Sequence, residues 1–228
     1  MTVSKSRSAK AFVLGATGLV GREIVDSLLK VEHVSSVTAF VRRPGKLKNT
    51  EPTDHKLREF VVDFHALSQP PTNWFDSLLP GDHAILFSAL GTTLKQAGSK
   101  SQQYLVDFTY QLETAKEFSR VTALKKASST LVLISASGAN SDSLFFYPRI
   151  KGQLEKEILS LNLSQTRIIR PSLLLGERET KRLGESLAES VFHFIQKIGI
   201  NLPKSIKPIH ARDVAAQAIQ LAFEEQHS

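Results

Sequence analysis

Short apolar runs alternate with amphipathic stretches over the first ~170 residues, and this pattern predicts the fold. The apolar runs predict strands, and the stretches with apolar residues every three or four positions predict helices. The predicted strands are 11–14, 34–41, 60–63, 84–87, 131–134 and 167–170, and the predicted helices are 19–30, 74–79, 101–126 and 147–161. Continuous apolar strands separated by helices are typical of a parallel sheet covered on both faces. The chain is therefore predicted to be an α/β protein with a Rossmann-type doubly wound parallel sheet.

The pattern weakens beyond residue 171. A charged loop at 176–184, an amphipathic helix at 185–198, a proline-rich connection and a last helix starting near Asp213 are predicted. Such an extension is too small for a core of its own, and it follows the sixth strand. We expect residues 171–209 to form a substrate-side extension, a small C-terminal lid over the carboxyl ends of the strands. Residues 1–228 then form one domain, with 1–10 as a disordered arm.

Composition narrows the function classes. No apolar run of the 228 residues approaches the length that spans a bilayer, which predicts a soluble protein without a transmembrane segment. The chain has no cysteine, which excludes disulfides, thiolate metal sites and a cysteine nucleophile, and its seven histidines lack ligand spacing. No metal is predicted, and a cytoplasmic location is expected.

The net charge of +7 is scattered and no nucleic-acid motif accompanies it, so an anionic cofactor is expected instead.

The first strand breaks into glycines at 15, 18 and 21, just before an amphipathic helix. Glycine allows a positive φ in a tight turn and lets a pyrophosphate approach the backbone N–H groups at the positive end of a helix. The last glycine allows close packing of helix on strand. The spacing Gly-x-x-Gly-x-x-Gly differs from the usual Gly-x-Gly-x-x-Gly fingerprint. The stretch predicts a dinucleotide site, and an ordinary glycine-rich turn is the alternative.

A second pattern is Tyr147-Pro148-Arg149-Ile150-Lys151, which opens the helix after the fifth strand. Residues four apart lie on one face of a helix, one turn from each other. A nearby ammonium lowers the pKa of a tyrosine, which suits the hydroxyl to acid or base work. The alternative is a packed aromatic ring and a solvated lysine.

Together the glycines, a serine after the fifth strand and Tyr147-x-x-x-Lys151 resemble the short-chain dehydrogenase/reductase superfamily. Within it, the chain resembles the atypical, epimerase-like NAD(P)H-binding proteins of the Tat-interacting-protein-like subgroup, as a bacterial-type member. The stretches that carry this narrower resemblance are 86–93, 106–108, 170–178 and 208–214.

The resemblance implies a role for each matching residue. Ser137 would donate a hydrogen bond to the substrate oxygen, Tyr147 would be the general acid/base, and Lys151 would hold the nicotinamide ribose and lower the pKa of the tyrosine. Ser135 is the rival serine, with support of the strand end as its alternative role. The residues expected to bind the cofactor are Gly15, Thr17, Gly18, Leu19, Val20, Gly21, Arg42, Arg43, Asp63, Ser88, Ala89, Leu90, Gly91 and Lys151.

The end of the second strand indicates which cofactor is bound. Where an NAD enzyme offers a carboxylate to the adenosine ribose, this chain has Arg42 and Arg43, whose guanidinium groups suit a 2′-phosphate. NADP(H) is therefore predicted in preference to NAD(H), and a solvated strand end is the alternative. Asp63 resembles the acidic residue that meets the adenine amino group, or it caps the next helix.

Four other residues receive weaker interpretations. Asp213 is expected to be the N-cap of the last helix, and His210 to be structural. The charges of Glu177 and Arg178, near the substrate by family geometry, favour a polar or anionic small-molecule substrate.

The predicted function is an NADP(H)-dependent oxidoreductase that acts on a carbonyl or alcohol by Tyr-Lys assisted hydride transfer. The alternatives are an epimerase or dehydratase that uses bound cofactor, and an NAD(P)H-binding regulatory or interaction protein without turnover. A monomer or a homodimer is expected.

Overall fold

The computed structural model describes residues 8–45, 47, 55–64, 73–172, 174–175 and 209–224. Its strands are β1 (Ala9–Leu14), β2 (Val34–Val41), β3 (Leu57–Val61), β4 (His83–Ser88), β5 (Ser128–Ile134), β6 (Gln165–Ile169), β7 (Leu174–Leu175) and β8 (Ile209–His210). Its helices are α1 (Leu19–Leu28), α2 (Leu94–Ala97), α3 (Lys100–Tyr104), α4 (Tyr110–Leu124), α5 (Phe146–Leu159) and α6 (Ala211–Phe223). A π-helical turn, Leu105–Thr109, joins α3 to α4 and is called the π-turn below.

Six strands form one parallel sheet in the order β3-β2-β1-β4-β5-β6, and β7 pairs with β8 in a small second sheet. Because successive side chains on a strand point to opposite faces, β1 contributes to two cores. Ala11 and Val13 pack on the face covered by α1 and α6, whereas Phe12 and Leu14 pack on the face covered by α4 and α5. The predicted doubly wound α/β fold is confirmed.

The strand order reverses between β1 and β4. After β3 the chain crosses back over β1, so the connections from these two strands leave in opposite directions. A crevice opens at the carboxyl ends of the strands at such a point, and ligands of doubly wound sheets bind there. The glycines after β1, the loop after β4 and the serines after β5 all lie at this edge.

The predicted helix 101–126 is the largest departure from the sequence pattern. It consists of α3, the π-turn and α4, and the wider π-turn changes which side chains face inward. Leu105 and Phe108, expected on the apolar face, are only half-buried, whereas Gln103, Asp107 and Gln111 are buried. The prediction holds again from Leu112 onward.

Smaller corrections concern the ends of the elements. The predicted helix 74–79 is absent: residues 74–77 form turns instead, shortly before the pair Pro80-Gly81. Ala9 and Lys10 belong to β1, so the predicted arm 1–10 is too long by these two residues. Asp213 lies in the first turn of α6, and the N-cap position belongs to His210, which is exposed and makes no side-chain cap.

Other predictions fall outside the described residues: the arm at 1–7, the loop at 176–184 with Glu177 and Arg178, and the lid helix at 185–198. None of the described helices combines the length and the apolar character needed to cross a membrane.

Candidate functional site

The turn between β1 and α1 is built on close backbone contacts. Gly15 has a φ of +81°, and an added Cβ there would lie 2.6 Å from the carbonyl oxygen of Ala89. An added Cβ at Gly21 would lie 2.1 Å from the carbonyl oxygen of Gly15. The first and third glycines therefore bring β1, α1 and the loop after β4 close together.

Gly18 has a different role, because it is exposed and occupies the N-cap position of α1. No side chain caps this helix, and no acidic residue lies in its first turn. The first N–H groups of this ten-residue helix therefore have no capping side chain to accept their hydrogen bonds. They lie at the positive end of the helix, on the side of the crevice. Thr17 and Leu19 are half-buried, and Val20 packs in the core, so the backbone is what this stretch offers a diphosphate. The arrangement fits the cofactor predicted from the sequence.

The loop after β4 lies beside these glycines. The Ala89 N–H donates to the carbonyl oxygen of Leu14 at 2.9 Å. Ala89 and Leu90 are half-buried and Gly91 is exposed. The Ser88 hydroxyl instead points into the protein, where it donates to Gln111 Oε1 at 2.8 Å.

Arg42 and Arg43 directly follow β2, and both are exposed. Glu59 of β3 anchors the loop that carries them. Its Oε2 accepts the Gly45 N–H at 2.5 Å and its Oε1 accepts the Leu47 N–H at 3.0 Å. Asp63 is exposed two residues beyond the end of β3.

Tyr147 and Lys151 lie one turn apart in the first half of α5. The helix starts at Phe146, so Pro148 falls in its first turn, where a missing N–H costs no helical bond. Lys151 is only 2% exposed. Its Nζ lies 3.2 Å from Oδ1 of Asp107 in the π-turn, and the two side chains form an ion pair.

Asp107 is the residue of this site whose role the sequence pattern does not predict. It is fully buried, and its Oδ2 accepts the backbone N–H of Thr92 at 3.3 Å. α-Helical periodicity places Asp107 off the apolar face, and only the π-turn brings it against α5. The one available signal is the short stretch Val106-Asp107-Phe108, which contributes to the family resemblance.

The pKa of Tyr147 is raised, which corrects the expectation that Lys151 lowers it below the ordinary value. Burial is the largest cause because it penalises the phenolate, and the Asp107 carboxylate acts in the same direction. Lys151 opposes both effects without overcoming them. Burial likewise raises the pKa of Asp107, against the opposing charge of Lys151.

The two candidate serines differ in environment. Ser137 is exposed, and its N–H donates to the carbonyl oxygen of Pro171 at 3.0 Å. The Ser135 N–H donates to the carbonyl oxygen of Ile169 at 2.8 Å. The Ser135 hydroxyl is buried and has no hydrogen-bond partner in the described part of the chain. At the strand end Ser135 therefore contributes its backbone N–H, which continues the pairing of β5 with β6, and not its hydroxyl.

Comparison with known proteins identifies relatives over most of the chain. The family model described as NAD(P)H-binding matches residues 15–186. A Candida albicans protein named "Protein FMP52, mitochondrial" is 34% identical over 92% of this chain and 86% of its own length. A Scheffersomyces stipitis protein named "Protein FMP52-1, mitochondrial" is 36% identical over 94% of this chain and 88% of its own.

Solved structures share the fold at low sequence identity. A short-chain dehydrogenase from Burkholderia cenocepacia in complex with NADP superposes with a TM-score of 0.61 at 14% identity, covering 96% of this chain and 86% of that one. The Bordetella bronchiseptica enzyme WbmF in complex with NAD+ gives a TM-score of 0.61 at 17% identity, covering 97% of this chain and 71% of that one. These structures share the fold expected from the resemblance to short-chain dehydrogenases, and the family match over residues 15–186 supports a nicotinamide cofactor.

These findings change two expectations. The predicted cytoplasmic location is wrong, because the curated relatives described above are named mitochondrial. Those relatives are also fungal, so the subgroup and the bacterial type stay predictions from the sequence resemblance.

Proposed function

Because the chain belongs to the NAD(P)H-binding family, we propose that it is an NADP(H)-dependent oxidoreductase acting on a carbonyl or alcohol. The observation that carries this proposal is the position of Tyr147 and buried Lys151 on α5, at the sheet edge where α1 presents its uncapped N-terminus. A protein that only sensed the cofactor would have no chemical need for this pair.

Each residue of the site has a task in this proposal. The N-terminus of α1 and the turn at Gly15 and Gly18 would hold the diphosphate of the cofactor, and Lys151 would hold its ribose. The nicotinamide would supply or accept the hydride when the cofactor is bound. Tyr147 holds the proton that moves to or from the substrate oxygen at its Oη.

The donor to the substrate oxygen is one of the two serines after β5. Ser137 matches the family pattern, and its exposure leaves its hydroxyl accessible. Ser135 is the other candidate donor, because its buried hydroxyl has no hydrogen-bond partner among the described residues. Such a hydroxyl destabilises the protein until a ligand forms a hydrogen bond with it.

We further propose that the cofactor is NADP(H) rather than NAD(H). Arg42 and Arg43 are exposed and permanently charged, which suits a 2′-phosphate. The test is to measure the Kd of NADPH and NADH for the wild type, Arg42→Ala and Arg43→Ala. Loss of a guanidinium should weaken NADPH about tenfold or more and leave NADH unchanged. An unchanged NADPH to NADH ratio in both variants would contradict the assignment.

Catalysis is tested by following NADPH consumption with a panel of carbonyl compounds. Tyr147→Phe should lose turnover and keep the wild-type Kd for NADPH, because only the proton carrier is removed. Tyr110→Phe is the matched control, since the ring that stacks on Phe64 with centroids 4.6 Å apart is retained. Undiminished turnover in Tyr147→Phe would overturn the mechanism. Tight NADPH binding with no turnover of any compound would favour the regulatory alternative.

The names of the relatives suggest where the protein acts. We propose a mitochondrial location, supported by the two FMP52 proteins named mitochondrial. A fluorescent fusion at the C-terminus should co-localise with a mitochondrial marker, and a diffuse cytosolic signal would refute the proposal.

A further inference from the structure

Asp107 lies between two parts of the crevice, the loop after β4 and helix α5. It belongs to the π-turn and is fully buried, and the side chain of Lys151 beside it is 3% exposed. Its Oδ1 lies 3.2 Å from Lys151 Nζ, and its Oδ2 accepts the Thr92 N–H at 3.3 Å. One buried carboxylate therefore contacts both the lysine and the loop.

The loop after β4 packs on this carboxylate and on the glycine turn. An added Cβ at Gly91 would lie 3.5 Å from Asp107 Oδ1, and one at Gly15 would lie 2.6 Å from the carbonyl oxygen of Ala89. The contacts thus run from Gly15 along the loop to Asp107. They connect the predicted diphosphate site with the carboxylate that holds the lysine.

Neighbouring polar side chains hold Asp107 in this position. Gln111 Nε2 donates to the Asp107 carbonyl oxygen at 3.0 Å, and Gln111 Oε1 accepts the Ser88 hydroxyl at 2.8 Å. Gln103 Nε2 donates to the carbonyl oxygen of Thr92 at 3.4 Å. Ser88, Gln103 and Gln111 are all buried, so the carboxylate has few other positions to adopt.

We infer that Asp107 is a positioning residue that fixes the Lys151 ammonium where it receives the ribose of the nicotinamide half of the cofactor. The inference rests on the proposed function, in which Lys151 holds that ribose. Burial disfavours a charged amine unless a counter-ion lies close, and the Asp107 carboxylate is such a counter-ion. A donor that is already fixed in place also loses less entropy when a ligand binds.

The adenosine half of the cofactor should not depend on Asp107. In the proposed function Arg42 and Arg43 bind this half, and they follow β2. Lys151 lies on the helix that follows β5, and β1 and β4 separate β2 from β5 in the sheet. Loss of Asp107 should therefore weaken the binding of a whole dinucleotide and not that of its adenosine half.

The experiment compares the Kd of NADPH with that of adenosine 2′,5′-bisphosphate, its adenosine half, by isothermal titration calorimetry. Asp107→Asn should weaken NADPH about tenfold or more, the usual effect of losing a hydrogen bond from a charged group, and leave the bisphosphate unchanged. Asparagine keeps an oxygen that can accept the Thr92 N–H, so the substitution removes the charge and retains that acceptor. Equal losses for both ligands would mean a general structural role and would overturn the inference.

A double variant shows whether Asp107 acts through the lysine. Once Lys151→Met has removed the ammonium, Asp107→Asn should have no further effect, so Lys151→Met and Asp107→Asn/Lys151→Met should bind NADPH equally. A further loss in the double variant would mean that Asp107 acts independently of Lys151, which contradicts the inference. The comparison is still possible if Asp107→Asn alone unfolds with a buried, unpaired lysine, because the double variant removes both charges.

Glu117→Gln is the matched control, because it removes another buried carboxylate, the partner of Arg120, from the neighbouring helix α4. It should bind both ligands like the wild type. NADPH binding by Asp107→Asn that equals the wild type would overturn the inference and leave the proposed function intact. Failure of the wild type to bind NADPH would refute both, and loss of the proposed catalysis alone appears separately, in the turnover of wild type and Tyr147→Phe.

Discussion

Glu59 Oε1 accepts the backbone N–H of Leu47 at 3.0 Å, which ties the loop after β2 to the neighbouring strand β3. The same carboxylate accepts the N–H of Gly45. The loop between these contacts and the end of β2 carries Arg42 and Arg43. The side chain of Glu59 therefore restricts where the two guanidinium groups can lie.

Replacing Glu59 by alanine should weaken NADPH binding several-fold and leave NADH binding nearly unchanged. Without Glu59, NADPH would have to order the loop after β2 when it binds, and this ordering costs free energy. Isothermal titration of both cofactors measures the effect. Asp76→Ala, an exposed carboxylate outside the crevice, is a suitable control. Equal losses for the two cofactors would mean that Glu59 supports the fold and not the 2′-phosphate site.

Ser135→Ala should lower turnover about a hundredfold, the usual effect of losing a donor to a substrate oxygen. It should leave the free energy of unfolding unchanged or raised, since the alanine removes a buried hydroxyl that has no partner. Ser137→Ala should have the smaller effect on turnover. If Ser137→Ala lost more turnover than Ser135→Ala, the donor to the substrate oxygen would be Ser137.

Gly21→Ala should destabilise the fold by about 1–3 kcal/mol or more, because its Cβ would overlap the backbone of Gly15. Gly18→Ala is the comparison, since an added Cβ there meets one atom at 3.1 Å and otherwise faces solvent. Its cost should stay below about 1 kcal/mol. Urea unfolding of both variants measures the difference, and similar midpoints would contradict the assigned packing role.

The pKa of His83 is lowered, first by burial and then by repulsion from His33. A group that is harder to protonate when folded stabilises the protein fully above its ordinary pKa of about 6.5, and this stability is lost as the pH falls below that value. The melting temperature should therefore fall between pH 7 and pH 5. The fall should be smaller in His83→Gln, whereas His55→Gln, at an exposed position, should behave like the wild type. Parallel curves for wild type and His83→Gln would refute the role of His83.

The strands and the doubly wound topology follow from the sequence because the sheet is apolar on both faces. β2 spans the predicted residues 34–41. The neighbouring residues Phe12 and Val13 of β1 pack in different cores, as expected for side chains that alternate between the two faces of a sheet. The glycine turn is equally visible, since no side chain fits at Gly15 or Gly21.

What the sequence does not predict depends on long-range packing. The pairing of Asp107 with Lys151 joins residues 44 positions apart and depends on the π-turn, which leaves no mark in a 3.6-residue period. The direction of the shift in the pKa of Tyr147 depends on burial, which periodicity cannot weigh against the charge of one lysine four residues away.

The π-turn also constrains the length of this segment. Each residue added to or removed from a helix rotates everything beyond it by about 100°. Shortening 105–109 by one residue would relax the turn to an ordinary helix, and either Asp107 would leave Lys151 or the buried face at Leu112 and Phe118 would turn away from the sheet. Substitutions on the exposed side of this segment should therefore be tolerated far better than any insertion or deletion within it.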